Sequence, residues 1–215
     1  MDGLLLDTEN LYTEAYNTVT QQYGKVYTWE HKVKIMGCKG PEAVEALINM
    51  LELPITRQEC EYQLSLAYKK LFPECKLLPG AEKLLRHLND NNIPIALATS
   101  SSKSSYDLKT QKWQHLFDLF HHKVLGDSDP QVVKGKPSPD IFLVAADCFP
   151  DKPNPEQCLV FEDSPNGVEA ALAAGMQVIM VPHLMLPKDL HKGTLVLKSL
   201  EDFKPEYFGL PPFNK

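Results

Sequence analysis

The chain has 215 residues with 43% hydrophobic side chains, enough to bury a core as one domain or as a core with an inserted unit. Its net charge of −6 and isoelectric point near 5.6 argue against a nucleic-acid backbone or an anionic membrane as partner. Five cysteines, without CxxC spacing, predict the reduced thiols of a cytoplasmic protein. Because the chain starts with an acidic stretch, no signal peptide is expected, and because no apolar run is long enough, no membrane span is expected.

The first third of the chain predicts helices and no convincing strand between Leu11 and Lys76. Helices are expected at residues 8–23, 29–36, 41–51 and 57–72. An all-helical insertion of this size predicts a separate small cap over residues 11–76. The remaining residues, 1–10 and 77–215, would form the core.

From Pro79 onward, short apolar strands alternate with helices. Strands are expected at residues 93–98, 122–125, 158–161, 177–181 and 194–197. Helices are expected at residues 81–89, 103–110 and 168–174, with a further one that opens within 135–140 and runs to 147. Such alternation predicts an α/β fold with a Rossmann-like, doubly wound parallel sheet.

The stretch CLVFEDSPNGVEAALAAGMQVIMV, residues 158–181, carries two adjacent carboxylates. Glu162 and Asp163 follow directly after a buried strand, and Ser164 and Pro165 are suited to cap and open the next helix. Ligands of open α/β sheets bind at the carboxyl ends of strands, and paired carboxylates there suit Mg²⁺. The alternative interpretation is that both carboxylates only interact with the helix dipole.

Two further polar groups lie near the ends or returns of predicted strands. Thr99 and Ser100 form a hydroxyl-rich turn, and Lys136 follows a glycine in the stretch GKPSPD. Phosphoryl transfer requires a cation and a lysine to neutralise the phosphate, and hydroxyl and N–H donors to hold its oxygen atoms. Each feature alone is unspecific, since Lys136 fits a surface lysine and Thr99 fits an ordinary helix cap.

Together and in this order, these groups resemble the four motifs of the haloacid dehalogenase superfamily of phosphohydrolases, over nearly the whole chain. The helical insertion matches that family's C1-type cap. A closer resemblance, to the animal pseudouridine-5'-phosphatases, is carried by MDGLLLDTE, LLPGAEKL, LATSS, GKPSPDIFL, CLVFEDSPNGVEAALAAGMQV and FGLP. It implies Mg²⁺-dependent hydrolysis of pseudouridine 5'-phosphate to pseudouridine and phosphate through an aspartyl-phosphate. A monomer whose partner is a small phosphorylated metabolite is expected.

The resemblance also implies roles for individual residues. Asp2 would protonate the leaving oxygen, later activate water, and place its backbone carbonyl on Mg²⁺. Thr99 and the Ser100 N–H would hold phosphate oxygen atoms, and Lys136 would neutralise charge on the phosphate and the nucleophile.

Metal and substrate contacts are implied in the same way. Asp163 would bind Mg²⁺ directly, and Glu162 directly or through water. Substrate contacts would come from the cap, with Tyr12, Tyr16 and Lys39 as candidates.

The first motif departs from the family pattern, which is Asp-x-Asp-Gly after a hydrophobic strand. Met1 occupies the x position, so the nucleophilic aspartate and its strand would lie before the printed start. The expectation is that the core lacks this first strand and that the chain as printed does not turn over phosphate esters.

Two interpretations of this departure are open. The chain is either a fragment, or an inactive form that binds phosphorylated ligands or partners. A missing central strand costs several hydrogen bonds and core side chains, a sum comparable to the whole stability of a domain, and this favours a fragment. Superfamily relatives also include sugar-phosphate phosphatases and phosphoglucomutases, which leaves the substrate open.

Overall fold

The first helices of the chain pack together into one helical unit. The computed structural model describes residues 1–35, 38 and 40–214. Within them, the helical unit consists of α1 (Glu9–Thr20), α2 (Trp29–Ile35), α3 (Gly40–Leu51) and α4 (Arg57–Leu71). Val19, Leu47 and Leu64 are almost fully buried where these helices meet, as the apolar faces of amphipathic helices require. The four predicted helices are confirmed, although the predicted end of the second, at Met36, lies outside the described residues.

Helix α4 shows how the local sequence sets a boundary. The Thr56 hydroxyl accepts a hydrogen bond from the Glu59 N–H at 3.2 Å, and the Glu59 carboxylate accepts one from the Thr56 N–H at 3.0 Å. This reciprocal capping box satisfies two N–H groups that the first helical turn would otherwise leave without a partner. Helix α4 therefore begins where the sequence predicts.

Beyond the helical unit, strands and helices alternate. The described strands are β1 (Leu6–Asp7), β2 (Lys76–Leu77), β3 (Ala96–Thr99), β4 (His122–Leu125), β5 (Leu159–Glu162), β6 (Gln177–Met180) and β7 (Leu195–Val196). The described helices are α5 (Ala81–Asp90), α6 (Lys103–Thr110), α7 (Gln114–Phe117), α8 (Asp140–Asp147) and α9 (Pro165–Ala173). The short helix α7 was not predicted, because four residues are too few to show a helical period.

The strands after β2 are parallel, as predicted. Strand β3 pairs with β4 in the register Ala96 to His122, and strands β5, β6 and β7 form a second parallel sheet with Leu159 opposite Gln177. Within the described residues, β3 and β5 belong to different sheets and do not pair with each other. Parallel strands connected by helices confirm the predicted Rossmann-like α/β class. No helix in the described part of the chain has the length and apolar character needed to cross a bilayer.

Strands β1 and β2 lie at the two borders of the stretch from Leu11 to Lys76, where no strand was expected, and only Lys76 of β2 falls within it. Leu6 lies opposite Leu77, and Asp7 lies opposite Lys76, in a short antiparallel ribbon. Each strand has two residues, too few to show the two-residue alternation of a strand, and the pairing joins positions about seventy apart. The ribbon ties the segment that enters the helical unit to the segment that leaves it. The predicted unit boundaries, 11–76, stay a prediction.

A test of the helical core compares two leucines of α4. Leu64 is 1% exposed and Leu66 is 49% exposed. Replacement of Leu64 by Ala should lower the free energy of unfolding by about 2–5 kcal/mol, because it removes buried methyl groups and leaves a cavity. The control Leu66→Ala should change it by less than about 0.5 kcal/mol in urea titrations. Equal losses would contradict the orientation of α4.

Candidate active site

A cavity of about 520 Å³ lies between the helical unit and the carboxyl ends of β3 and β5. Thr99 is the last residue of β3 and Glu162 the last of β5, so both strands deliver polar side chains to this edge of the core. The sequence-predicted residues that line the cavity are Asp2, Tyr12, Tyr16, Thr99, Ser100, Lys136, Glu162 and Asp163. The remaining candidate, Lys39, lies outside the described residues.

Lys136 and Glu162 form a buried ion pair. The Lys136 ammonium donates to Glu162 Oε1 at 2.5 Å, and the two side chains are each 6% exposed. Burial by itself raises the pKa of the Glu162 carboxyl, but the Lys136 charge and hydrogen bond outweigh it and leave this pKa below its ordinary value. The lysine is therefore fixed at the cavity wall instead of extending into solvent.

The second oxygen of Glu162 faces the start of α9. Oε2 accepts from the Ser164 hydroxyl at 3.1 Å, and from the Ser164 and Asp163 N–H groups at 3.4 and 3.3 Å. Ser164 in turn accepts from the Gly167 N–H, as expected of the helix cap. A Cβ atom at Gly167 would overlap the Glu162 carboxylate, so glycine is required there by close approach. Glu162 was predicted to bind Mg²⁺ either directly or through water. Because protein donors already contact both Glu162 oxygen atoms, this geometry fits binding through water.

Asp163 is in a different electrostatic position. Within the described part of the chain, no donor hydrogen-bonds to its carboxylate. Burial raises the pKa of Asp163 well above its ordinary value, and the neighbouring Glu162 and Glu9 carboxylates raise it further. Gly3, at φ +66°, brings the backbone so close that a Cβ atom there would overlap this carboxylate.

These features fit a cation at Asp163. Asp163 is half-buried, and a carboxylate partly removed from water beside two other carboxylates is costly unless a positive charge neutralises it. Among the described residues, no group of three or more His, Cys, Asp or Glu side chains is arranged to hold a metal ion. A site with one or two carboxylates and no larger cluster of ligands suits Mg²⁺, because Mg²⁺ keeps several waters and takes one or two carboxylates together with substrate phosphate oxygens.

Thr99 and Ser100 occupy the turn between β3 and α6. The Thr99 hydroxyl accepts from the Ser101 N–H at 3.3 Å, and its carbonyl accepts from the Gly126 N–H at 2.7 Å. Ser102 caps α6 by accepting from the Ser105 N–H. The turn is therefore rigid and points toward the amino end of a helix, a place where N–H donors favour an anion.

Asp2 is held by a network that the sequence analysis did not foresee. The Lys109 ammonium lies 2.8 Å from both Asp2 oxygen atoms. The Thr8 hydroxyl donates to Oδ1 at 2.8 Å and the Ser101 hydroxyl to Oδ2 at 2.9 Å. Burial by itself raises the pKa of Asp2, but Lys109 and the hydrogen bonds outweigh it and hold this pKa below its ordinary value.

One feature of the sequence could have indicated that Lys109 is buried. Its side chain is fully buried, and with Tyr106 and Trp113 it recurs at helical spacing across α6 and the turn that follows. A lysine at a position where an apolar residue is expected indicates a buried partner of opposite charge. That partner, Asp2, is distant in sequence, so the pair could not be identified without the fold.

Glu9 and Lys32 form a second unforeseen pair, between α1 and α2. The Lys32 ammonium lies 2.7 Å from Glu9 Oε2, and it also donates to the Glu9 carbonyl at 2.6 Å and to the Thr13 hydroxyl at 3.1 Å. Both charged side chains line the cavity. The pair ties two helices together beside Asp163.

Aromatic rings form the wall that the helical unit contributes. Tyr12 contacts Tyr68 and Phe72, with ring centroids 5.6 and 4.9 Å apart, and Tyr16 contacts Tyr27 at 4.7 Å. Burial raises the pKa of Tyr16 to about 12, so its hydroxyl stays neutral at physiological pH. Charged side chains near the strand ends thus form a charged end of the cavity, and the helical unit adds aromatic rings, of which Tyr12 reaches Lys109 through its hydroxyl at 3.1 Å.

Comparison with known proteins is consistent with this geometry. Residues 1–175 match the model of the haloacid dehalogenase-like hydrolases. The chain belongs to this hydrolase family. The resemblance seen in the sequence motifs is therefore confirmed at the level of the family.

This haloacid dehalogenase-like chain has similar relatives over its whole length. It is 51% identical over 215 residues to a Drosophila melanogaster protein named "Probable pseudouridine-5'-phosphatase", covering 100% of this chain and 93% of that protein. It is 46% identical to (DL)-glycerol-3-phosphatase 1, mitochondrial, of Arabidopsis thaliana, with 100% and 73% covered. The crystal structure of CbbY from Rhodobacter sphaeroides, in complex with phosphate, shares its fold, with a TM-score of 0.78, 24% identity, and 94% and 92% covered.

The buried pair of Lys136 and Glu162 generates a stability prediction. Lys136→Met should lower the free energy of unfolding by about 3–5 kcal/mol, because it leaves the Glu162 carboxylate buried without a counterion. Adding Glu162→Gln to this variant should recover part of the loss. Lys152→Met is the matched control, since Lys152 pairs with Asp147 at 2.9 Å while both side chains are about two-thirds exposed. Denaturant titration should show a loss below about 1 kcal/mol for the control. Similar losses for both lysines would contradict the assignment.

Proposed function

We propose that the protein is a Mg²⁺-dependent phosphatase that hydrolyses pseudouridine 5'-phosphate to pseudouridine and phosphate. The observation that carries this proposal is the cavity in which Asp2, Lys136 and Asp163 converge at the carboxyl ends of two parallel strands. A candidate acid, a fixed lysine and a carboxylate suited to a cation are the parts that phosphoryl transfer requires. The names of the similar relatives support a phosphatase.

The phosphate would be held at the charged end of the cavity. Lys136, fixed by Glu162, supplies a positive charge, and the turn at Thr99 and Ser100 supplies donors. Asp163, together with the Asp2 backbone carbonyl, would hold Mg²⁺, with Glu162 reaching it through water. Bound Mg²⁺ would neutralise negative charge on the phosphate oxygens.

Asp2 would move the protons. The lowered pKa makes the carboxylate the main form of Asp2 in the free protein, and the negative charge of a bound phosphate favours its protonation. In the first step, the protonated carboxyl gives its proton to the leaving oxygen as the ester P–O bond breaks. In the second step, the resulting carboxylate takes a proton from water as that water attacks the phosphorus atom. Over both steps, ester and water become alcohol and phosphate, and Asp2 returns to its starting state.

In the family pattern, the nucleophile is the aspartate two positions before the one that Asp2 matches. It attacks phosphorus and forms an aspartyl-phosphate, which the second step hydrolyses. The segments 1–10 and 77–215 would supply the chemistry, and residues 11–76 would cover it as a cap. An inactive protein that only binds phosphorylated ligands is the alternative, and the same experiment tests it.

The size and the aromatic wall of the cavity support a nucleoside phosphate. A volume of about 520 Å³ falls within the range of pockets for ligands of that size. Tyr12, Tyr16 and Tyr68 line the cavity, and a base would pack against these rings. Glycerol 3-phosphate is the second candidate, because a relative 46% identical carries that activity in its name.

The mechanism predicts how activity depends on the nucleophile. The 215-residue chain beginning at Met1 should hydrolyse phosphate esters near the background rate, since removal of a covalent catalytic residue commonly costs about 10⁴- to 10⁶-fold. The extended protein, in which a hydrophobic strand ending in aspartate precedes Met1, should hydrolyse pseudouridine 5'-phosphate with Mg²⁺. Phosphate release measures both.

The control for this test is an extended protein with asparagine in place of the added aspartate. It can form the same strand but has no nucleophile, so it should fold and stay inactive. In the active extended protein, Asp2→Ala and Asp163→Ala should each abolish turnover, through loss of proton transfer and of Mg²⁺ binding. Full Mg²⁺-dependent activity of the unextended chain would show the mechanism to be wrong.

Substrate choice is tested at Tyr68, a half-buried residue on the cavity wall. In the extended protein, Tyr68→Leu should lower kcat/KM for pseudouridine 5'-phosphate by roughly 5- to 100-fold, since stacking on a base is worth about 1–3 kcal/mol. For ribose 5-phosphate, which has no base, the loss should be much smaller. Tyr62, on the same helix but 65% exposed, provides the control Tyr62→Leu. Equal losses with both substrates would count against base stacking.

A further inference from the structure

We propose that Lys109 is a positioning residue for Asp2, and that it fixes the orientation of the carboxyl group that transfers protons. This inference rests on the proposed function, because it concerns the same reaction. Lys109 lies outside the four family motifs; it comes from the buried face of α6.

The contacts of the Lys109 ammonium make it an anchor. Nζ lies 2.8 Å from each Asp2 oxygen, 2.6 Å from the Ser101 hydroxyl and 3.1 Å from the Tyr12 hydroxyl. A donor that bridges both oxygen atoms fixes the plane of the carboxylate as well as its position. Its stem cannot swing away, because the Lys109 side chain has no solvent exposure.

The other two donors to Asp2 are of a different kind. Thr8 and Ser101 contact one oxygen each through hydroxyl groups, which rotate and can exchange donation for acceptance. Ser101 also lines the cavity, where a substrate oxygen could take its place beside Asp2. Lys109 is therefore the contact that persists while the hydroxyl contacts adjust to substrate.

The Lys109 side chain is fully buried and Asp2 is 22% exposed, and a lysine buried in this way calls for an explanation beyond stability. Replacing a buried pair with apolar side chains of similar volume is often neutral or stabilising, and the aromatic rings of Tyr12 and Phe72 already surround the ammonium, with centroids at 5.3 Å. Proton transfer, in contrast, requires a carboxyl oxygen within hydrogen-bond reach and correctly oriented toward the leaving oxygen. A rigid cation behind Asp2 provides that orientation.

The test separates proton transfer from folding by the choice of leaving group. In the extended protein, the rate of the first step is measured as the burst of leaving group released, with pseudouridine 5'-phosphate and with p-nitrophenyl phosphate. p-Nitrophenolate departs without a proton, whereas an alkoxide requires one. Lys109→Met should therefore slow the first step roughly 10²- to 10⁴-fold with the alkyl ester and less than about tenfold with the aryl ester.

Two comparisons make the result specific. Lys103→Met, on the same helix, removes an exposed lysine that pairs with Asp107 at 2.8 Å, and both rates should stay unchanged. In an Asp2→Asn background, the first step is measured with p-nitrophenyl phosphate, whose leaving group needs no proton, and adding Lys109→Met should cause no further loss, because a residue that acts through Asp2 has nothing left to position. This double variant leaves no unpaired charge in the pair, so it serves as the test if Lys109→Met alone does not fold.

The outcomes are distinct. Equal losses with both esters, no loss with the alkyl ester, or a further loss in the Asp2→Asn background would each overturn the positioning role. If the unsubstituted extended protein hydrolyses neither ester, the proposed function fails and this inference fails with it. If it hydrolyses both esters and Lys109→Met does not discriminate between them, the inference alone fails.

Discussion

Pairing of buried charges is the constraint on which this site depends. A carboxylate moved out of water carries a large desolvation cost, which a nearby lysine offsets only when the geometry is good. Glu162 meets this condition through Lys136, and Asp2 meets it through Lys109. Each pair joins a residue near the start or end of a strand to a lysine from a distant part of the chain. The core and the site are therefore stabilised by the same contacts, and a change in either lysine affects both.

The backbone around these pairs is shaped by close approach. Gly167 lets the Glu162 carboxylate lie against the first turn of α9, and Gly3 does the same for Asp163. Ser164 links the two functions, since it caps α9 and also donates to Glu162. In the sequence EDSPNG, the start of α9 therefore fixes the Glu162 carboxylate, and this carboxylate in turn fixes Lys136. The alternative interpretation was that both carboxylates only interact with the start of the helix. Glu162 does contact the start of α9, but it also pairs with Lys136, and among the described residues the Asp163 carboxylate makes no such contact with α9.

The sequence allowed prediction of those parts of the fold that are encoded locally. The helices at α1, α4 and α6, the strands at β4 and β5, and the cap at Ser164 follow from periodicity and capping residues within a few positions. The ribbon of β1 and β2 and the pair of Asp2 with Lys109 depend on contacts between distant positions, which no local pattern carries. Conversely, Thr99, Glu162 and Asp163 were predictable because each ends or directly follows a strand, where the fold itself brings them together.

The arrangement of charge around the cavity indicates the order in which ligands bind. Asp2, Glu9 and Glu162 each contact a lysine, whereas Asp163 has no lysine within ion-pair distance in the described residues. A phosphate dianion that approached an ionised Asp163 would be repelled, and burial together with the Glu162 and Glu9 carboxylates, which raise the pKa of Asp163, already disfavours its charge. The divalent cation proposed at Asp163 would remove both costs and reverse the sign of the local potential. In the proposed reaction, the cation would therefore bind before or together with the phosphate, and Lys109 would keep Asp2 in place for the proton transfer that follows.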